Sequence, residues 1–241
     1  MADTTVTTAD LLRQAAFQFE EATGLRFRDK TLLQRALTHR SFLNETRELL
    51  LADNERLEFL GDAVLGFVVG EYLYHCFPEL REGPLTNLRA AVVREETLAH
   101  FAEQIGLGDH LLMGRGEAES GRRRPAVLCA AFEAMVGAVY LDQGLEAVRR
   151  FLLPLLEPLL PKLVEWATFK DAKSRLQEWS QAELHATPRY QTVAVEGPDH
   201  ARTFTVTVTI NGEVYGVGHG HSKQKASQAA AEDALRRIEG A

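Results

Sequence analysis

Residues 126–140 are apolar on almost every side of a helix, and Glu133 is the only acidic residue among them. Pro125 suits the first turn of this helix, and Gly144 follows its last residues. A helix without a polar face is buried in its fold. A lone carboxylate in such a helix needs a partner or a metal ion, because burying an unpaired charge is costly. The segment therefore predicts a core helix that carries one functional acid.

A second apolar helix also carries acidic residues. Its apolar side chains recur at helical spacing and predict a side that faces the core: Leu57, Leu60, Val64, Leu65 and Val68. Glu55, Glu58 and Asp62 lie at positions i, i+3 and i+7, so their carboxylates follow one stripe. Like charges one turn apart destabilise a helix by roughly 0.2–0.5 kcal/mol, and Gly61 adds about 1 kcal/mol. A cation beside the acids, and a close packing partner or ligand beside Gly61, would offset these costs. A solvated acidic face is the alternative.

Glu58, Asp62 and Glu133 together would form a site made only of oxygen ligands. Such a site suits a hard divalent cation such as Mg²⁺ or Mn²⁺. A di-iron helical protein would instead need Glu-x-x-His on its metal-binding helices. Neither Glu58 nor Glu133 is followed by a histidine at that spacing, so the pattern disfavours a di-iron centre.

The last third of the chain has a different pattern. Residues 172–184 predict a helix, and alternation predicts strands at 190–196 and 203–210, with no comparable alternation before residue 190. Asn211-Gly212 is a strong hairpin signal, a returning strand follows at 213–217, and residues 222–238 predict an Ala-rich helix. We therefore expect an all-α domain at 1–165, a linker at 166–171 and a small α+β domain, in the order α-β-β-β-α, at 172–241.

Several motifs, in the same order along the chain, resemble bacterial ribonuclease III. The segment 54–65 closely resembles the signature of that family, and segments 37–41, 85–89 and 133–142 are also similar to it. The α-β-β-β-α pattern resembles the double-stranded-RNA-binding domain. The resemblance therefore implies an all-α endonuclease domain followed by a double-stranded-RNA-binding domain.

The resemblance also implies an activity. A family member hydrolyses double-stranded RNA to 5′-phosphate and 3′-hydroxyl ends with short 3′ overhangs, in RNA processing such as ribosomal RNA maturation. It acts as a homodimer in which each subunit cuts one strand. The implied catalytic residues are Asp62 and Glu133. The implied ligands for Mg²⁺, with Mn²⁺ able to substitute, are Glu58, Asp62 and Glu133, and Glu55 is a supporting acid.

One position departs from the family pattern. Ribonuclease III usually has Leu-Ala-Asp-Ala-Phe-Glu where this chain reads Leu128-Cys129-Ala130-Ala131-Phe132-Glu133. Ala130 therefore stands at a vacant metal position of the family, one turn before Glu133. Loss of a supporting group typically weakens a metal site by about 10–100-fold. An alternative function is accordingly a catalytically impaired protein that binds double-stranded RNA.

The resemblance assigns RNA contacts to three segments of the last domain. Ser174, Gln177 and Gln181 form a polar helix face, for which an ordinary exposed face is the alternative. His200 lies in a loop similar to the family's minor-groove loop. Ser222, Lys223 and Lys225 match the start of the last helix, where side-chain charge and the helix N-terminus would bind phosphates. The family commonly has Ser-Lys-Lys there, so Gln224 is a second departure.

Three further features have two interpretations each. His39 beside Ser41 suggests a catalytic triad, but a hydrogen-bonded structural histidine is favoured because no acid accompanies it at a telling position. The run Arg122-Arg123-Arg124 before the Glu133 helix is either solvated or in contact with RNA phosphates. His219 and His221 suggest a metal site, but no further ligand accompanies them and turn residues are favoured.

Charge and cysteine content limit the classes of protein. The formal net charge of −7 argues against a generic polyanion binder. Residues 170–241 contain nine basic and nine acidic residues, so the whole deficit lies in residues 1–169 and local patches must contact phosphate. Two cysteines form no disulfide framework and suit a reducing compartment. The start of the chain lacks the pattern of a signal peptide, and the longest apolar runs are too interrupted to span a membrane. We expect a soluble cytoplasmic protein with no membrane partner.

Overall fold

The chain divides into two compact units. The computed structural model describes residues 7–46, 52–198 and 202–240, and for residues 120 and 164–171 it describes the backbone alone. One unit comprises Met1–Leu80 and Leu85–Leu160, and the other comprises Arg81–Pro84 and Pro161–Ala241.

Helices form the described chain before residue 160. In order they are α1 (Thr8–Thr23), α2 (Lys30–Ala36), α3 (Arg40–Glu45), α4 (Glu55–Cys76), α5 (Glu82–Val93), α6 (Glu95–Gln104), α7 (Leu107–His110), α8 (Arg115–Gly121), α9 (Pro125–Gln143) and α10 (Leu145–Leu156). A 3₁₀ turn at Glu157–Leu159 follows α10. The bridge between Thr38 and Leu112 is isolated and does not extend into a sheet. The prediction of an all-α first domain is confirmed.

The apolar helix α9 is a core element. Its length and composition alone would also fit a membrane-spanning helix. In the fold its side chains pack inside the first unit, and the buried residues are Leu128, Ala131, Phe132, Ala134, Met135, Val136, Gly137, Ala138 and Val139. Pro125 occupies the first turn and Gly144, with a φ of 80°, ends the helix, as the sequence predicts.

Helices α4 and α9 cross in backbone contact. A Cβ atom added to Gly61 of α4 would overlap the carbonyl oxygen of Glu133, and one added to Gly137 of α9 would overlap the carbonyl oxygen of Leu57. Glycine at both positions therefore permits the close approach. A close packing partner, one of the two explanations for Gly61 that the sequence left open, is therefore present.

Asp142 links the end of α9 to the segment before α2 through hydrogen bonds. Its carboxylate accepts hydrogen bonds from the backbone amides of Arg28 and Asp29, both at 2.8 Å. The side chain of Gln143 donates to the carbonyl of Arg26 at 2.8 Å. These bonds fix the segment before α2 against the helix that carries Glu133.

The second unit has the predicted order of elements. Helix α11 (Leu160–Leu184) leads to β1 (Arg189–Glu196), β2 (Thr203–Ile210), β3 (Glu213–Gly220) and α12 (Lys223–Glu239). The three strands form an antiparallel sheet in the order β1-β2-β3. Asn211 and Gly212 have φ values of 51° and 88° and make the tight turn of the β2–β3 hairpin. The α-β-β-β-α prediction is confirmed.

Residues 166–171, which the sequence predicts as a linker, are helical within α11. From Ala172 onward the helix belongs to the core of the second unit, which includes Ala172 and Leu176. Gln228 of α12 accepts a hydrogen bond from the amide of Lys173 at 3.1 Å, a contact that joins α11 to α12. The backbone of the predicted linker is therefore helical.

Strand β3 packs on α12 through small residues. Cβ atoms added to Gly216 or Gly218 would overlap the backbone of Ala230, and one added to Gly220 would lie 2.7 Å from the amide nitrogen of Ala226. Ala226 and Ala230 lie one turn apart and are both buried. The alternation of glycine along β3 thus matches the period of alanine on α12.

Candidate active site

The α4–α9 crossing sets the positions of the predicted acids. Glu58 lies one turn before Gly61 and Asp62 directly after it, while Gly61 contacts the backbone of Glu133. Glu58 and Glu133 are half-buried, and Asp62 is exposed. The structure thus brings the three acids of the sequence prediction to one helix crossing.

The carboxylates influence one another's protonation. Burial, followed by the charges of Asp62 and Glu58, raises the pKa of Glu133 to about 7. Burial also raises the pKa of Glu58, with additional contributions from Glu55, Asp53 and Asp62. Negative charge is therefore crowded at this crossing, and a nearby cation would stabilise it.

The donor set fits a hard divalent cation. All three groups are carboxylates, and the raised pKa values identify charge that lacks compensation. Among the residues that the structure describes, no three acidic, histidine or cysteine side chains are close enough to form a ready-made metal cage. Glu58, Asp62 and Glu133 are the carboxylates at this crossing that could hold such an ion.

Cys129 is a neighbour of the site that the sequence did not single out. Its thiol donates to Oε1 of Glu133 at 3.7 Å, one turn away on α9. Burial and then the charge of Glu133 raise the pKa of Cys129 to about 12, so the thiol is neutral. The spacing i, i+4 on a predicted helix was the available signal for this contact.

Ala130 and Glu58 line the same cavity, together with Glu55. Glu55 is exposed and forms an ion pair with Arg40 at 3.4 Å. The vacant family position therefore faces the acidic helix, as the helical spacing from Glu133 predicts. Among the described residues Glu55 has a cationic partner, whereas Glu58 and Glu133 have none and their pKa values are raised.

His39 is a helix cap. Its Nδ1 atom accepts a hydrogen bond from the Ser41 amide at 3.2 Å and lies 2.8 Å from the Ser41 hydroxyl. The Ser41 hydroxyl oxygen in turn accepts from the amide of Gly114 at 3.0 Å. These contacts support the structural interpretation of His39 over the catalytic triad.

The predicted RNA-binding residues of the second unit that the structure describes are exposed, except Ser222, which is partly buried. Ser174, Gln177 and Gln181 lie on the solvent side of α11, and Lys223 and Lys225 lie in the first turn of α12. Ser222 caps α12 by accepting from the Lys225 amide at 3.2 Å. His200 lies outside the described residues.

The paired histidines show no metal geometry among the described residues. His219 lies in β3, where its Nδ1 atom is 3.0 Å from the hydroxyl of Thr205 on β2. His221 is exposed next to the cap of α12. His219 is therefore a strand residue with a cross-strand partner, and the prediction that it lies in a turn is wrong.

Known proteins are similar to this chain along nearly its whole length. Residues 29–159 match the family described as Ribonuclease-III-like, and residues 172–238 match the Double-stranded RNA binding motif. Ribonuclease 3 of Roseiflexus sp. (strain RS-1) is 48% identical over 232 residues, which cover 95% of this chain and 98% of that protein. Ribonuclease 3 of Enterococcus faecalis is 46% identical over 226 residues, covering 93% and 98% respectively.

A solved structure is similar as well. The nuclease domain of ribonuclease III from Campylobacter jejuni, described for flexibility in a region involved in dimer formation, is 44% identical. The match has a TM-score of 0.54 and covers 60% of this chain and 97% of that one. The family match to more than half of the chain and the identities of its relatives agree with the motifs and the fold. The chain belongs to the ribonuclease III family.

Proposed function

We propose that this chain is a metal-dependent endoribonuclease that hydrolyses double-stranded RNA to 5′-phosphate and 3′-hydroxyl ends with short 3′ overhangs. The observation that carries the proposal is the crowding of Glu58, Asp62 and Glu133 at the α4–α9 crossing, where the pKa of Glu133 is raised to about 7. Family membership supports the same chemistry. Maturation of ribosomal RNA in the cytoplasm is the process in which we place it.

Glu58, Asp62 and Glu133 would hold the divalent ions, for which Mg²⁺ or Mn²⁺ is suited to carboxylate oxygens. When bound, such ions supply Lewis acidity that activates water and stabilises the leaving 3′ oxygen of an in-line displacement. The glycine contact fixes α4 and α9 against each other. It therefore also fixes the positions of Asp62 and Glu133, the two proposed catalytic residues. The thiol of Cys129 donates to Glu133 and helps to fix its carboxylate.

A binding protein without efficient cleavage is the second candidate function. Ala130 stands where the family usually has aspartate, and it lines one cavity with Glu58. A missing carboxylate lowers the affinity for metal before it alters the backbone that positions the other acids. We therefore favour an active nuclease with a raised metal requirement.

The second unit would present the RNA to this site. Residues 172–241 are the double-stranded-RNA-binding domain in our proposal, residues 1–165 are the nuclease domain, and 166–171 connect them. Ser174, Gln177, Gln181 and His200 would contact the minor groove. Ser222, Lys223 and Lys225 would bind phosphates at the start of α12.

A homodimer would place two equivalent sites on a two-stranded substrate. Phe59 of α4 is 82% exposed, although it is a large apolar side chain. It lies beside Leu141 along a cavity of about 540 Å³ that also includes Leu60. An exposed aromatic side chain next to an apolar recess is typical of a protein interface. The dimer described for the C. jejuni nuclease domain supports this assignment.

The decisive experiment incubates the chain with a long RNA duplex and either Mg²⁺ or Mn²⁺. We expect short duplex products with 5′-phosphate and 3′-hydroxyl ends. Glu133→Gln keeps the shape of the side chain and removes its charge, so it should abolish cleavage and leave RNA binding nearly intact. Equal cleavage by the variant would place the chemistry elsewhere, and no cleavage by the parent at any metal concentration would favour the binding protein.

A further inference from the structure

A cavity of about 630 Å³ adjoins the carboxylates within the first unit. Its walls come from α3 and its cap, from Glu117 of α8, and from the first two turns of α4 and of α9 with the residues that precede them. The lining residues that matter chemically are His39, Arg40, Glu55, Glu58, Glu117 and Arg124. Glu58 is shared with the proposed metal site, so a ligand in this cavity would be continuous with an RNA strand at that site.

The three consecutive arginines before α9 have different environments. Arg122 donates to the carbonyls of Gly108 and Leu111 at 3.2 and 2.6 Å, which is a structural role. Arg123 is exposed and lines a different cavity, of about 210 Å³. Arg124 alone of the three lines the cavity that contains Glu58. The three arginines, whose role the sequence left open, therefore have three different surroundings.

Arg124 is positioned by an ion pair with a carboxylate, and another anion can take the place of that carboxylate. Its guanidinium contacts the carboxylate of Glu117 on α8, and both side chains are partly exposed. A partly exposed ion pair contributes little to stability, because solvent screens its charges. Gly121 leaves room for the pair, because a Cβ there would lie 2.8 Å from Oε1 of Glu117. A phosphate oxygen that entered the cavity would find a guanidinium already at its wall.

His39 adds a neutral donor to the same cavity. The Ser41 amide donates a hydrogen bond to Nδ1, and the Ser41 hydroxyl lies within hydrogen-bond distance of the same atom. Because Nδ1 is an acceptor, the proton of the neutral ring lies on Nε2. Burial, followed by the charges of Arg40 and Arg124, lowers the pKa of His39. The ring is therefore neutral at neutral pH and still has one N–H to donate.

We propose that this cavity is a subsite for an RNA backbone phosphate next to the scissile one, held by the guanidinium of Arg124 and by Nε2–H of His39. The proposal rests on the proposed function, because it uses the same RNA strand. A guanidinium binds phosphate through two parallel hydrogen bonds, which fix position as well as charge. A local cation is needed here because residues 1–169 carry the whole net charge of −7. Arg124 therefore contacts the RNA strand itself in this scheme.

The first test compares Arg124→Ala with Arg123→Ala, which removes an equal charge from the neighbouring residue outside the cavity. Single-turnover cleavage of a short duplex at saturating Mn²⁺ should show that Arg124→Ala raises the half-saturating RNA concentration more than it lowers the maximal rate. The combined loss should be roughly 10- to 100-fold, the scale of a charged hydrogen bond. Arg123→Ala should change the ratio of maximal rate to half-saturating RNA concentration less than about threefold. Equal effects of the two variants would overturn the proposal.

His39→Asn tests the neutral donor separately. Asparagine can still cap α3, so the fold is retained while Nε2–H is lost. The expected loss is roughly 10-fold, the lower end of the scale for a hydrogen bond to a charged group, and an unchanged half-saturating RNA concentration would remove His39 from the subsite. Thermal melting of each variant verifies folding. If Arg124→Ala unfolds, Arg124→Gln takes its place in every comparison.

A third test identifies the phosphate and has a readout besides activity. Duplexes with one neutral methylphosphonate at successive positions near the cleaved bond are bound to Glu133→Gln protein, with and without Arg124→Ala. One position should weaken binding about tenfold with Arg124 present and have no effect without it. The same loss in both proteins at every position would refute the subsite. Absence of cleavage by the parent chain would instead count against the proposed function, while this binding measurement would still decide the subsite.

Discussion

Gly61 of α4 and Gly137 of α9 face each other where the two helices cross, and neither position has room for a Cβ atom. Gly61→Ala should therefore force the helices apart and lower the free energy of unfolding by about 1–3 kcal/mol or more. Gly66→Ala, in the same helix with nothing within 4 Å of the added atom, should raise it by about 0.5–1 kcal/mol. Urea denaturation of both variants measures the difference, and equal midpoints would contradict the close packing.

Phe59→Ser should shift the chain toward the monomer. The side chain is 82% exposed and lies beside an apolar recess. Loss of an aromatic anchor typically costs about 2 kcal/mol, so the dimer dissociation constant should rise about 30-fold. Sedimentation velocity over a concentration series measures it. Phe17→Ser, at an exposed position of α1, is the control, and an equal effect of both variants would remove Phe59 from the interface.

Lys223→Ala and Lys225→Ala should each weaken duplex RNA binding with little dependence on sequence. Each should reduce the magnitude of the slope of log affinity against log salt concentration by about one. Arg236→Ala removes an equal charge from the last turn of α12 and should leave the slope unchanged. Gel shifts at several salt concentrations, with fragment 170–241 as well as the full chain, measure the slopes. An unchanged slope in the lysine variants would discard this end of α12 as the phosphate contact.

Ala130→Asp should lower the metal concentration for half-maximal cleavage by roughly 10-fold or more, because a fourth carboxylate would offset the dehydration of the ion. The parent should be rescued more readily by Mn²⁺ than by Mg²⁺, since Mn²⁺ binds such sites more tightly. Ala130→Asn has the same shape without the charge and should not restore metal affinity. Titration of cleavage, and of the metal-induced rise in melting temperature, compares the three proteins. Full cleavage by the parent in low Mg²⁺ would show that position 130 is not a metal position.

Glu20 should contribute stability that depends on pH. Burial raises its pKa, but hydrogen bonds from Lys30 and from the Phe27 amide outweigh burial, and the pKa lies below its usual 4.5. The contribution is therefore present above pH 4.5 and is lost as the pH falls through the folded-state pKa. The free energy of unfolding of the parent and of Glu20→Gln should differ at pH 7 and converge toward pH 3. A difference independent of pH would assign the effect to packing alone.

Local patterns were sufficient for the main elements. Pro125 and Gly144 delimit α9, and Asn211-Gly212 marks the β2–β3 turn, because each acts through its own backbone conformation. The acids of α4 and α9 were also predictable, since a carboxylate in an apolar helix stands out. The cost of Gly61 correctly indicated a close neighbour, although its identity, the backbone of Glu133, required the fold.

Contacts that depend on how the chain bends between helices were not predictable in the same way. Glu117 and Arg124 pair across a turn between two helices, and the capping role of His39 depends on a bend that its own residue type does not specify. Residues 166–171 have no strong helix or turn signal, and they continue α11 because helices on both sides propagate through them. The sequence therefore predicted the helices and strands better than it predicted the contacts of individual side chains.

The hydrogen bonds from Arg28 and Asp29 to Asp142 span 114 and 113 residues. Contacts of such long range form late, because a large loop must close first. During translation, α4 lacks its main packing partner until α9 has left the ribosome, whereas the sheet of the second unit is synthesised later still. The order of synthesis thus completes the carboxylate site before the domain that would bring RNA to it exists.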